Sequence, residues 1–306
     1  VSGRAAAVAA LALAVAGRAP AQSKPSTTTA IAAERFVPAL GPTSLIAVEG
    51  ASVTPWGQTS FAASLDELHN PITLATVTTG TTVTHPVRDQ FVGDLALEIG
   101  FYKRLAVAIG APVVLYQRGD RLQGTGTDEQ PLATQAAGDL RVRLKAQLVG
   151  DLARPGLHAA LILTVTAPMG GQSDFAASDG ATIEPRLVGD WRAGPLIMAA
   201  TVGVRFQRDQ TLFTTQLGDE LTWSAGAGLR LLSRGIFAGS AIFEAAGAVG
   251  PSTGTRPVEL RGGVRAAIGR FAVDAGAGGG VDGDVGVPAW RVFLVARGTV
   301  GRAHSP

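Results

Sequence analysis

Ten consecutive residues, Asp139 to Leu148, alternate without a break. Leu140, Val142, Leu144, Ala146 and Leu148 fall on one side, and Asp139, Arg141, Arg143, Lys145 and Gln147 on the other. A helix turns every 3.6 residues and would smear both sets around its axis, so only an extended strand keeps them apart. The pattern recurs. Leu95, Leu97, Ile99 and Phe101 oppose Asp94, Ala96, Glu98 and Gly100, and Val258, Leu260, Gly262, Val264, Ala266 and Ile268 oppose Glu259, Arg261, Gly263, Arg265 and Ala267. From Glu220 to Leu231 the apolar set is Leu221, Trp223, Ala225, Ala227, Leu229 and Leu231. A chain carrying many such runs must fold as β-structure.

Marking every alternating run predicts about twelve strands, near 57–68, 89–101, 105–116, 138–149, 157–168, 182–192, 196–207, 219–231, 235–246, 257–268, 271–280 and 289–299. Each is long for a globular strand (usually ~5–6 residues) and suited to a tilted membrane strand. The connections alternate in length. Residues 69–88, 117–137, 169–181, 208–218, 247–256 and 281–288 are long, whereas 102–104, 150–156, 193–195, 232–234 and 269–270 are short. Membrane barrels pair short periplasmic turns with longer outer loops. Phe101, Tyr102, Tyr116, Trp191, Phe206, Trp223, Phe237, Phe271 and Trp290 lie near strand ends, where girdles of aromatic residues sit. Charged residues are 16% of the chain, against ~25% in an ordinary soluble domain. The expected fold is therefore all-β: a transmembrane antiparallel up-and-down β-barrel of about twelve strands, over residues 44–300. The competing reading is a soluble periplasmic barrel or sandwich with the same alternation turned inside out.

The first residues read as an export signal. Arg4 precedes the unbroken apolar run Ala5–Ala16, and Ala19-Pro20-Ala21 matches a small-x-small cleavage site. Residues 1–21 are the expected signal peptide, with a mature chain opening at Gln22. Residues 22–43, rich in Ser, Thr, Pro and Ala without a period, read as a linker. Residues 44–54 are either an extra strand or a periplasmic or lumenal segment, and 301–306 are a tail. The expected location is the outer membrane of a Gram-negative cell, with its lipid as the surrounding partner.

Several stretches carry a resemblance. Glu34-Arg35-Phe36-Val37-Pro38-Ala39, Leu45-Ile46-Ala47-Val48-Glu49, Gly57 and Asn70-Pro71 resemble the N-terminal barrel half of large OmpA-family outer-membrane proteins. Gly138-Asp139-Leu140-Arg141-Val142-Arg143-Leu144-Lys145, with Leu163-Thr164-Val165-Thr166-Ala167-Pro168-Met169-Gly170, is similar to a G-D-L-x-L-x-x-K … L-P-x-G pattern. That pattern occurs in outer-membrane transporters of the phenol-degradation MetA type. The resemblance implies a barrel and names no substrate. It does not bring over peptidoglycan binding.

Catalysis has little support. The four histidines are His69, His85, His158 and His304, and none belongs to a recognisable Ser–His–acid arrangement or G-x-S-x-G elbow. No cysteine is present, so no thiolate metal site exists. The carboxylates of Gly119–Glu129 lack EF-hand spacing, and Gly276–Gly280 is followed by no helix that would make it a phosphate loop. That glycine run reads as a place where the wall bends or something packs close. No catalytic residue, cofactor or metal is expected. A net charge of +2 gives no electrostatic case for nucleic acid.

The polar faces of the strands supply the candidate pore lining: Asp94, Glu98, Arg141, Arg143, Lys145, Glu184, Arg186, Asp190, Arg261 and Arg265. Two arrangements are open. Arg141, Arg143 and Lys145 on the fourth strand face Arg261 and Arg265 on the tenth across an open lumen, favouring small anionic solutes. Alternatively, these cations pair with Asp94, Glu98, Glu184, Asp190, Glu244 and Asp274 and fill the interior. The first implies a passive channel for small solutes, the second a structural outer-membrane protein with a filled lumen.

Overall fold

The computed structural model describes residues 28–302, apart from 76–78, 80, 124, 126–129, 152–153, 171–173, 251–255 and 282–284. The expected signal peptide lies outside the described residues, as does most of the tail. Twelve strands form the wall: β1 (Gln58–Ala75), β2 (Thr82–Tyr102), β3 (Leu105–Arg118), β4 (Leu140–Val149), β5 (Gly156–Ala167), β6 (Thr182–Ala193), β7 (Leu196–Arg205), β8 (Glu220–Arg234), β9 (Phe237–Val249), β10 (Val258–Ile268), β11 (Phe271–Gly280) and β12 (Trp290–Gly301). Each pairs antiparallel with its sequence neighbour, and β1 closes the ring on β12. Phe61, for example, sits opposite Leu97 on β2 and Gly298 on β12. No helix occurs among the described residues.

The alternation of the sequence becomes an inside-out protein. Leu95, Leu97 and Ile99 on β2, Val142 and Leu144 on β4, Leu161 and Leu163 on β5, and Val292 and Leu294 on β12 are all exposed on the outer surface. Their strand neighbours Asp94, Glu98, Arg143, Lys145, Thr164 and Arg291 are buried. A soluble barrel has the opposite arrangement, because exposing so much contiguous apolar surface to water carries a large free-energy penalty. Surrounded by lipid, an apolar exterior costs nothing, and closure leaves no unpaired strand edge. Phe101, Tyr116, Trp191, Phe206, Phe237, Phe271 and Trp290 are exposed near strand ends.

The tight turns at 193–195 and 269–270 are where expected, whereas the one expected at 232–234 falls at 235–236 because β8 runs on through Arg234. Gly194, Gly235 and Gly269 have φ of 56°, 60° and 59°, a left-handed backbone that glycine adopts without strain. The first hairpin departs from expectation. Residues 69–88 were expected to form a long loop, yet the β1–β2 ladder runs to Ala75 and Thr82, with register shifts beyond His69. These strands exceed the ~9–11 residues that cross a bilayer, so the hairpin projects as a ribbon.

A second departure matters more. Residues 28–43 are not a linker, and of the readings open for 44–54 the lumenal segment holds and the extra strand does not: the whole segment crosses the lumen. It begins among the long connections, where Thr28 N donates to Thr211 O at 2.9 Å and Ala33 N to Phe175 O at 2.9 Å. A tight reversal follows, closed by Ala39 N to Ile46 O at 3.0 Å and Leu45 N to Val48 O at 3.0 Å. It leaves at the short-turn end, where Gly57 N reaches Gly100 O at 3.1 Å, and runs directly into β1. The segment's Phe36, Leu40, Leu45, Ile46 and Val48 form one cluster with the wall residues Ala62, Ala96, Ala108, Ala199, Ile242, Phe293 and Val295. Small inward residues on the wall thus make room for a chain and not for an empty pore. Such a segment carries no two-residue period, because its neighbours come from every side of the barrel.

Candidate functional site

The candidate site is the lumen: ten expected lining residues, the plug formed by 28–57, and the space between them. All ten project inward, as the alternation requires, and most are engaged by the plug or by each other.

On β4, Arg141 pairs with Asp94 of β2. Arg143 and Lys145 both reach Glu49 of the plug, Lys145 at 3.2 Å. Glu98 accepts from the Thr54 backbone N–H at 3.2 Å and from the Thr54 hydroxyl. Asp190 accepts from Ala51 N at 2.6 Å and from the Thr43 hydroxyl at 3.3 Å, while His158 Nδ1 and Arg192 Nε lie 2.9 and 3.3 Å from its other oxygen. Glu184 stays on the wall, with Arg205 at 3.2 Å and the Thr222 hydroxyl at 2.8 Å. Arg186 donates to the Thr164 hydroxyl at 3.2 Å. Arg261 lies 3.6 Å from Glu244 and stacks over Phe36 of the plug, 5.4 Å from the ring centroid. Arg265 forks onto Asp274 at 2.6 and 2.9 Å and also donates to Ser44 O and Leu45 O, each at 2.9 Å. The two facing basic ladders of the open-lumen arrangement therefore do not exist as free charge; carboxylates of the wall and plug neutralise them.

The residues that hold the plug most directly are ones the pore-lining set omitted. Glu244 of β9 accepts from Ile46 N at 2.8 Å, Ala47 N at 3.0 Å and Val48 N at 3.0 Å. Successive backbone N–H groups converging on one carboxylate form an anion nest, and charge-assisted hydrogen bonds are roughly twice as strong as neutral ones. Arg297 of β12 donates to Ala39 O and Ile46 O, each at 3.1 Å. Arg291, fully buried, meets Glu34 of the plug at 3.2 Å, Asp66 at 2.5 Å and Glu259 at 2.6 Å. Arg35 forks onto Glu220 at 3.0 and 3.1 Å. Glu244, Arg291 and Arg297 were legible as inward positions of their strands. Glu34, Arg35 and Glu49 were not, since their segment has no period.

Two cavities flank the plug. One, of about 260 Å³, opens toward the long connections and is lined by Glu49, Arg143, Arg186, Glu184, Glu220 and Arg261 among others. Arg143 Nε and Arg186 Nε have no protein acceptor, so these walls suit water. The other, of about 630 Å³, opens at the short-turn end beside Gly194, Pro195 and Gly269. Polar space thus enters from both ends and stops at the plug. Gly276 of β11 shows how closely the plug's surroundings pack: a Cβ there would lie 2.6 Å from Phe293 Cζ, and Phe293 stacks on Phe36 at 5.3 Å. The close packing expected at the glycine run is present. The carboxylates of Gly119–Glu129 fall partly outside the described residues; Asp120 there caps Thr84 Oγ1 and His85 N, each at 3.2 Å.

No protein-family model matches the chain, and no curated protein matches it. Solved structures do. An outer membrane channel from Pseudomonas putida F1 is 12% identical, with 82% of this chain and 98% of that chain covered at a TM-score of 0.56. The NanC porin is 6% identical, covering 80% and 99% at 0.48, and the β-domain of the Bordetella autotransporter BrkA is 16% identical, covering 80% and 99% at 0.45. At these identities the likeness is one of fold: the chain is similar in architecture to outer-membrane β-barrels.

Proposed function

We propose that this protein is an outer-membrane channel for small solutes whose resting state is closed by its own residues 28–57. The observation that carries the reading is the way the plug is held. Ion pairs and hydrogen bonds to Glu98, Asp190, Glu244, Arg265, Arg291 and Arg297 anchor it beside its apolar cluster with the wall, and cavities carrying charged side chains meet it from both ends. The plug also packs Phe36, Leu40, Leu45, Ile46 and Val48 against the wall, so opening requires the polar anchors, worth ~0.5–3 kcal/mol each, and this apolar cluster to give way together. A twelve-strand barrel is intermediate between side-chain-filled and open barrels. It encloses one chain segment, and removal of that segment leaves a passage.

The similarity in fold to an outer membrane channel supports the same reading. The outer membrane and its lipid follow from the apolar exterior, the short turns then facing the periplasm. Solutes are small, because the flanking spaces are. No enzymatic role is assigned: His158, the buried wall histidine, is spent on Asp190 and Arg192. The alternative, a purely structural barrel with a permanent filling, predicts no conduction in any variant. Planar-bilayer recording on wild type and Glu244→Ala separates them. The channel reading expects more frequent or larger openings when the anion nest is removed; identical silent traces from a folded variant favour the structural barrel.

A further inference from the structure

The two cavities differ in charge. Among the described residues, the one at the long connections is lined by six arginines and six carboxylates. The one at the short-turn end is lined by Arg192, Arg230, Arg265, Arg270 and Arg297 and by no carboxylate. Asp190 and Asp274 stand behind this lining and offset part of it: Asp274 takes Arg265 and Arg297, and Asp190 faces Arg192. Among the described residues the Arg230 guanidinium has no carboxylate partner, and Arg270 donates one N–H to Gly301 O at 2.8 Å. The register makes the arrangement compact. Arg230 of β8 is opposite Ser240 of β9, and Ser240 is opposite Arg265 of β10. The three form one inward row, with the two arginine Cα atoms about 10 Å apart, two strand spacings. Ala238 and Ala267 lie on the same lining beside them, so nothing bulky fills the space into which the guanidinium groups reach.

We propose that this vestibule is a binding site for a small multivalent oxyanion, a solute bearing phosphate or several carboxylates. Arg230 and Arg270 supply free guanidinium N–H groups, and Ser240 a hydroxyl between Arg230 and Arg265. Guanidinium forks match phosphate and carboxylate oxygens in geometry as well as charge. A cavity lined by one sign, with low-dielectric walls, focuses the potential and raises the local concentration of counter-charge. The cavity opens at the short-turn mouth, inside the ring of strands, where Arg230 and Arg270 are exposed, and the occupant we infer is a soluble anion. As the short-turn mouth of a channel, the site selects which solutes reach the plug. That role rests on the channel reading, but the binding itself does not.

Isothermal titration of pyrophosphate into the folded, detergent-solubilised protein at low salt tests the site without any conduction. Saturable binding is expected. Arg230→Gln should weaken it about tenfold, the loss expected for one charge-assisted contact, and Arg230→Gln/Arg270→Gln should weaken it further. Arg234→Gln, an exposed arginine of the same strand outside the cavity, should leave it unchanged. Folding of each variant is checked by the shift in gel mobility on heating. No saturable binding by wild type overturns the proposal, as does equal loss in Arg230→Gln and Arg234→Gln. Binding with those expected losses in a barrel that never conducts would uphold the site while refuting the channel.

Discussion

At the scale of single residues, the lumen is organised by charged groups that each hold more than one partner. Arg291 gathers one carboxylate of the plug and two of the wall, and Arg265 ties its own wall pair to two plug carbonyls. Buried ions are costly unless their hydrogen bonds are met, and here backbone groups of the plug meet many of them. Gly276 has no room for a side chain: a Cβ there would collide with Gly262 O and lie 2.6 Å from Phe293 Cζ, the ring that stacks on Phe36. Gly276→Val should therefore lower stability by about 1–3 kcal/mol, the usual penalty for overpacking. The urea midpoint of unfolding from detergent micelles reads this, and an unchanged midpoint would mean that the Phe293–Phe36 stack is not fixed.

At the scale of elements, the strands were written in the sequence and the plug was not. Asp139 to Leu148 could be assigned from its own alternation, because lipid outside and a polar lumen inside impose a two-residue period. Arg141 and Asp94 could even be expected to meet, since both fall on inward faces of the two strands that flank β3, whose inward Ala108 and Gly110 are small. Glu49 could not be matched to Arg143 and Lys145, because that pairing requires knowing that residues 28–57 enter the barrel. The same limit explains the hairpin at 69–88: His69, Asn70 and Pro71 look like loop residues, but Ile72 and Val87 keep the ladder going by packing with Phe175 and Leu212 in a cluster under the long connections. The two ends of the barrel give a topological prediction. The chain has no cysteine, so a single substitution is a clean probe. Thr214→Cys, at the tip of the small hairpin Gln210–Leu217 in the β7–β8 connection, should react with an impermeant maleimide on whole cells. Ser233→Cys, beside the short β8–β9 turn, should react only after the outer membrane is permeabilised. The reverse labelling would turn the barrel over.

At the scale of the whole molecule, the fold is a closed wall and a separate occupant drawn from the same chain. The backbone ladder of the wall needs nothing from the plug, since every strand has two neighbours, while buried wall side chains such as Glu244 and Arg297 do bond to it. The plug, by contrast, depends on the wall for its anchors. This asymmetry makes the occupant removable in principle, and it is the basis for reading the molecule as a closed channel instead of a solid post. The direct test is the ionic conductance of a variant lacking residues 28–54, refolded and shown by circular dichroism and heat-shifted gel mobility to retain the barrel. A steady conductance several-fold above that of wild type is the predicted result. A correctly folded, plugless barrel that passes no more current than wild type would contradict the account.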